Sequence, residues 1–302
     1  VSGNSPMHVA VLLGGLSSER EISLTSGRAA ARALRDLGHR VSEVDVGWDV
    51  AERLRELAPD VVFNVLHGRY GEDGVIQGLL SLLRLPYTGS GVTASACAFD
   101  KLLAKRVLTA SGVPTPAYEA VPDGAAIRPA LPFPLVVKPA RGGSSIGVTR
   151  VKGPEALEAA VAEARREDGR VYLEAAVPGR EVTVSVLDGE ALPIVEIVPP
   201  AGIFSFAAKY TDAGTRYIVP ADLPEAAAAR IREASVATYA ALGCAGAARV
   251  DLMLDDDLAP WVLEINTVPG LTPTSLLPKA ARAAGMEFED LIGRMLAGAA
   301  LQ

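Results

Sequence analysis

One short stretch limits what this 302-residue chain can fold into. Within residues 249–269, two apolar runs at 250–254 and 261–265 flank an Asp-rich loop that contains a proline. That layout predicts a β-hairpin. In a symmetric hairpin Asp251 falls opposite Glu264 and Arg249 opposite Asn266. Side chains alternate along a strand, so these four polar groups share one face. Val250, Leu252, Leu263 and Ile265 then take the other face, as core. Two carboxylates about 5 Å apart repel by about 3 kcal/mol at an effective dielectric near 20, and a cation between them would relieve that. Two carboxylates and an amide oxygen form an all-oxygen set suited to Mg²⁺ that shares its shell with phosphates. A solvent-facing hairpin, whose acids water screens, fits the same residues.

Composition narrows the partners. A net charge of −7 with no basic run argues against nucleic acid. No apolar run approaches the length of a membrane span. With 49% hydrophobic and 22% charged residues the chain reads as a soluble globular protein of two or three domains. Residues 1–6 lack the layout of a signal peptide, and Met7 is a candidate natural start, with the residues before it an added segment or an extended reading frame. Cys97 and Cys244 stand alone, without metal or redox spacing, and read as buried thiols of a cytoplasmic protein.

Along the chain, residues 8–13 form an apolar strand that runs into Gly14-Gly15-Leu16-Ser17-Ser18-Glu19. A helix over 18–37 follows, with a serine cap and Gly38 as its stop. Strand, glycine turn and helix make an open α/β unit whose ligands bind beyond the strand carboxyl ends. The glycines do not fit the dinucleotide fingerprint, and Glu19 could simply complement the helix dipole. Further strands are expected at 41–46 and 61–66. The second ends in His67-Gly68-Arg69-Tyr70-Gly71-Glu72-Asp73-Gly74, a glycine-rich loop at the same sheet edge. Residues 86–91 read as a boundary.

A helix from about 100 to 112 and a strand at 135–137 lead to Lys138 and to Gly142-Gly143-Ser144-Ser145-Ile146-Gly147. This is not a Walker loop, because the lysine precedes the glycines. Its run of backbone N–H donors suits phosphates, with Lys101 and Lys138 as nearby cations. The strand at 171–175 ends in Glu174 beside an apolar edge that suits an adenine ring, with Glu181 placed for ribose hydroxyls; an ordinary crossover fits equally. A strand at 181–187 precedes a long irregular segment, 199–220, of the kind that covers active sites. A helix over 224–242 returns to the hairpin. A last helix, starting near Pro278, offers its N-terminal region to a carboxylate.

Taken together, these motifs resemble those of the D-alanine–D-alanine ligase family, members of the ATP-grasp fold. The resemblance runs from Gly14-Gly15-x-Ser17-x-Glu19-Arg20-Glu21 through His67-Gly68-x-x-Gly71-Glu72-Asp73-Gly74 and Lys138-Pro139 to Gly143-Ser144-Ser145-x-Gly147. It continues through Lys209-Tyr210 and Arg249-x-Asp251 to Glu264-x-Asn266-Thr267-x-Pro269-Gly270. It implies an α/β fold, with α+β character in the centre and C-terminus, in three domains: 1–90 on the substrate side, 91–180 with the phosphate-covering loop, and 181–302 with the metal hairpin and cover loop. It also implies a reaction, in which ATP phosphorylates one D-alanine and the amine of a second displaces phosphate. That product serves peptidoglycan precursor synthesis.

By the same resemblance, Asp251, Glu264 and Asn266 bind two Mg²⁺, for which Mn²⁺ could substitute. Lys101, Lys138, Gly143, Ser144, Ser145 and Lys209 hold phosphates, and Glu174, Val177 and Glu181 hold adenosine. Glu19 pairs with the first ammonium and joins Ser144 and Tyr210 in a hydrogen-bonded set. Arg249 and the Gly270 N–H stabilise the oxyanion, while His67, Lys209, Ser275 and Leu276 contact substrate. Phe206 departs from a tyrosine found in many relatives. Relatives that make D-alanyl-D-lactate carry histidine where this chain has Tyr210. A homodimer is implied as well. Two other readings share the nucleotide and metal motifs: a different ATP-grasp carboxylate–amine ligase, and a silent nucleotide-binding module.

Overall fold

A computed structural model describes residues 6–124, 127–143, 146–199 and 214–302. Its first sheet is parallel, in the order β2-β1-β3, from β1 (His8–Leu13), β2 (Arg40–Asp45) and β3 (Val61–Asn64). Every residue of β1 is buried, because alternate side chains serve two separate cores. Val9, Val11 and Leu13 join one, and Ala10 and Leu12 the other. A parallel strand covered on both faces needs such an unbroken apolar run. Strand β3 is shorter than its apolar run. Asn64 ends it by accepting the Leu66 N–H at 3.1 Å and donating to the Gly71 carbonyl at 3.1 Å.

Helix Arg20–Asp36 starts later than expected, with Glu19 as its N-cap residue and no side-chain cap. Ser17 supplies the local bond instead: its hydroxyl accepts the Glu19 N–H and donates to the His67 carbonyl at 2.6 Å. Gly38 ends the helix as expected, in the left-handed region at φ 86°.

The second sheet is antiparallel, in the order β4-β7-β5-β6, from β4 (Tyr118–Ala120), β5 (Leu135–Pro139), β6 (Thr149–Val151) and β7 (Val171–Ala175). Leu135 and Val137 face a core with helix Leu157–Glu167, so Val136 and Lys138 face the opposite side. Helix Lys101–Ala110 is capped by Asp100, whose carboxylate accepts the Leu103 N–H at 3.1 Å.

The third sheet runs β11-β10-β8-β12-β13, with β9 beside β8. Its strands are β8 (Arg180–Leu187), β9 (Glu190–Ala191), β10 (Val195–Val198), β11 (Arg216–Ile218), β12 (Ala247–Leu254) and β13 (Pro260–Asn266). Val182, Val184 and Val186 bury one face with helix Glu225–Ala241. The C-terminal helices Leu276–Ala283 and Phe288–Ala297 return to the first sheet, where Leu277, Ala280 and Leu291 share a core with Val9 and Val11. Helix Leu276–Ala283 begins two residues before Pro278, which the first turn accommodates because its missing N–H has no partner there.

Candidate active site

The hairpin has the expected register: Asp251 pairs with Glu264 and Arg249 with Asn266. Val250, Leu252 and Ile265 are buried core, as expected. Leu263 is not. A register shift between Asp251 and Leu252 pairs Leu252 with Val262, so Val262 enters the core and Leu263 lines a cleft. An extra residue on one strand turns its side chain out of the alternation, so the one-for-one pattern fails beyond Glu264.

Two cavities meet at this hairpin. The first, about 430 Å³, lies between the second and third sheets. Lys138, Glu174, Val177 and Glu181 line it with Asp251 and Glu264. The second, about 810 Å³, draws on all three sheets' connections: Glu19, His67, Arg249, Gly270, Ser275 and Leu276 line it. Lys101, Gly143 and Glu264 line both. The structure thus brings together every expected site residue that it describes. Ser144, Ser145, Lys209 and Tyr210, with Phe206, lie outside the described residues.

In the first cavity the cations are held by specific partners. Lys101 donates to the Gly142 carbonyl at 2.6 Å, and its ammonium is 3.3 Å from Glu264. Lys138 pairs with Oε1 of Glu174, whose Oε2 is 2.6 Å from Lys105. Glu174, expected at an adenosine, therefore has its carboxylate engaged by two lysines while it lines the cleft. Asp251 accepts both arms of Arg249 at 2.8 Å and the Thr183 hydroxyl at 2.6 Å. Asn266 Oδ1 accepts the Val268 N–H at 2.9 Å and keeps a second lone pair. Asp251, Glu264 and Asn266 are hard oxygen donors at adjacent register positions, a set that fits Mg²⁺. Among the described residues no group of three His, Cys, Asp or Glu side chains is placed to hold a metal, and the third donor of this set is the amide oxygen of Asn266.

The second cavity is pinched by glycines around Glu19. A Cβ on Gly143 would fall 2.6 Å from Glu19 Oε2, and one on Gly68 would fall 2.9 Å from the same atom. Both are below real contact distances, so a side chain at either position would push the Glu19 carboxylate away from these two loops. His67 and Glu72 sit beside it, 6% and 7% exposed. Burial lowers the His67 pKa, keeping the ring neutral, and His67 Nε2 has no hydrogen-bond partner among the described residues. Burial, aided by the charge of Glu19, pushes the Glu72 carboxyl up to about 8. Its Oε1 accepts the Gly68 N–H at 3.1 Å. At the far end Ser275 is the N-cap residue of helix Leu276–Ala283, and its hydroxyl lies 2.7 Å from that of Thr272.

Lys105, Thr183 and Glu72 also border the site, and residue type alone marks none of them for a role there. Lys105 follows Lys101 by one helical turn, which places both on one face. Thr183 stands across from Asp251 in the β8–β12 register, a pairing that sequence spacing does not reveal.

Comparison with known proteins points to one family. A family model described as D-ala D-ala ligase C-terminus matches residues 109–297, and one described as D-ala D-ala ligase N-terminus matches residues 46–90. The D-alanine–D-alanine ligase of Syntrophotalea carbinolica is 48% identical over 97% of this chain and 96% of its own length. That of Anaeromyxobacter sp. strain Fw109-5 is 50% identical over 97% of each chain. The crystal structure of the Bacillus anthracis D-alanine–D-alanine ligase superposes with a TM-score of 0.87 at 37% identity, covering 97% of each chain. The structure of the Bacillus anthracis ligase complexed with ATP gives 0.86 at 33% identity, again over 97% of each. The chain belongs to the D-alanine–D-alanine ligase family, with the ATP-grasp fold.

Proposed function

We propose that this chain joins two D-alanines into D-alanyl-D-alanine at the expense of ATP, with the smaller cavity taking the nucleotide and the larger the amino acids. One observation carries the assignment of the cavities. They meet where Lys101, Gly143 and Glu264 line both, so a phosphoryl group held at the end of one reaches a carboxylate held in the other.

The first D-alanine presents its ammonium to Glu19 and its carboxylate toward the junction. A carboxylate oxygen attacks the terminal phosphorus, and ADP leaves with the electrons of the broken bond. Lys101 and Lys138 neutralise the phosphoryl oxygens, where charge collects during transfer. Gly142 and Gly143, which line the same cleft, offer backbone N–H groups to them, and Val177, Glu174 and Glu181 bound the adenosine. Asp251, Glu264 and Asn266 would hold two Mg²⁺, which when bound supply charge neutralisation at the phosphates.

The second D-alanine lies toward Ser275 and Leu276, with its carboxylate on the Ser275 side, and His67 borders the amino-acid chamber. Its amine attacks the acyl carbon, and Arg249 and the Gly270 N–H stabilise the tetrahedral oxyanion. Collapse expels phosphate, which leaves with the proton that the attacking amine gives up, and forms the amide. The product serves peptidoglycan precursors, in the cytoplasm. No helix among the described residues is long and apolar enough to cross a membrane. A homodimer belongs to the same proposal. Sedimentation checks it.

The test is turnover with ATP, Mg²⁺ and a panel of D-amino and D-hydroxy acids, with products identified. D-Alanyl-D-alanine, ADP and phosphate in equal amounts are expected. Ligation of another amino acid in preference to D-alanine would reassign the larger cavity, and no ATP consumption with any of them would refute catalysis.

A further inference from the structure

Lys105 lines neither cavity, yet it is among the most buried side chains in the molecule, 1% exposed. Its ammonium lies 2.6 Å from Glu174 Oε2, donates to the Thr115 hydroxyl at 2.6 Å and reaches the Pro116 carbonyl at 3.4 Å. The Tyr118 ring is 5.3 Å away. Thr115 passes the contact on, because its hydroxyl donates to the Val262 carbonyl of β13 at 2.7 Å. One ammonium therefore ties helix Lys101–Ala110 to Glu174 on β7 and, through Thr115, to the strand that carries Glu264.

The charges around Glu174 give this brace a second consequence. Glu174 offers one oxygen to Lys105 and the other to Lys138, and only Lys138 lines the cleft. Three charged groups then sum to one positive charge, carried at the cleft by Lys138. Without Lys105, Glu174 and Lys138 form a neutral pair, and Glu174 competes with a polyanion for the Lys138 ammonium. A brace that only filled space would need no charge, since a methionine has similar length and avoids burying an ion.

We propose that Lys105 is a positioning residue of the nucleotide cleft, holding Glu174 so that Lys138 faces the nucleotide phosphates as an uncompensated cation. This rests on the reading of that cleft as the ATP site. Burial, opposed by the charge of Glu174, brings the Lys105 pKa down to about 8, with Lys138 lowering it and Glu264 raising it further. Mildly alkaline pH therefore removes the charge that the brace depends on.

The experiment measures ATP dissociation constants by titration with Mg²⁺ present and D-alanine absent, for the parent and Lys105→Met, from pH 7 to 9.5. At pH 7 the variant should bind ATP at least about tenfold more weakly, while its KM for D-alanine at saturating ATP stays within about twofold. In the parent, ATP binding should weaken as pH rises through 8; in the variant it should be flat across that step. A folded variant that binds ATP like the parent overturns the inference, as does a shared pH profile. If the variant does not fold, the parent is compared with Glu72→Gln, which removes the other group that titrates near 8: a step that persists supports the inference, and a step that vanishes, or a parent profile flat from pH 7 to 9.5, overturns it. A parent that binds no ATP at any pH refutes the assignment of the cleft itself, which is a separate result.

Discussion

Two buried glutamates, one for each cavity, have opposite surroundings. Glu174, at 1% exposure, meets two ammonium groups, from Lys105 and Lys138. Glu72, at 7%, meets one backbone N–H and the like charge of Glu19, and its carboxyl is pushed up to about 8. Burial penalises the ionised form of Glu72, and the like charge of Glu19 adds to that penalty; around Glu174 the neighbours are cations. The nucleotide cleft gathers cations around a fixed carboxylate, as a polyanion requires. The amino-acid cavity keeps Glu72 protonated and His67 neutral around the charge of Glu19. A zwitterion entering there meets the carboxylates of Glu19, Glu21 and Glu264 and the cations Lys101 and Arg249, while Glu72 and His67 add no charge of their own.

The comparison breaks most decisively at the junction. Glu264→Gln removes a charge from the wall common to both cavities, and kcat should fall on the order of 100- to 1,000-fold. The melting temperature without nucleotide should stay near the parent's, because the Glu264 side chain is 30% exposed and one fewer acid faces Asp251. Mg-ATP should then stabilise the variant less than the parent. Full activity in this variant would remove Glu264 from the proposed metal set.

Glu72→Gln sharpens the contrast through pH. The folded protein holds a proton on Glu72 up to about pH 8, whereas the unfolded chain releases it near 4.5. Between those values the folded state binds more protons, so rising pH erodes the parent's stability through this group. Glutamine has no proton to lose and keeps the Gly68 bond. Its advantage should grow from pH 5 to 8 and then level off. Denaturant unfolding at several pH values measures this; a difference independent of pH would show that Glu72 titrates normally.

The smallest effect is expected at Gly143, whose φ is not in the left-handed region, so alanine strains no backbone there. The new methyl group would displace the Glu19 carboxylate, and the KM for D-alanine should rise about tenfold, equivalent to about 1.4 kcal/mol. Stability should hold or rise slightly, as for other glycine-to-alanine changes at compatible positions. An unchanged KM would separate Glu19 from the first substrate.

Much of this was legible in the chain. Strand alternation and a polar turn fix which residues of a hairpin oppose one another, so the Asp251–Glu264 and Arg249–Asn266 pairs follow from residues 249–269 alone. The continuous apolar run of β1 likewise announces a strand covered on both faces. The shift after Asp251 that turns Leu263 into the cleft has no signature in the pattern, because a bulge changes the residue count on one strand without changing residue type.

Sequence also names acids and lysines without saying which are dry. Lys105, Glu174, Glu72 and His67 acquire their character from burial and from neighbours distant in the chain: Glu174 lies 69 positions beyond Lys105, and Glu19 lies 53 before Glu72. Local residue types therefore settled the strands, the glycine turns and the facing carboxylates. The charge state of each cavity waited for tertiary packing, because desolvation and Coulomb energy depend on distance in space and not along the chain.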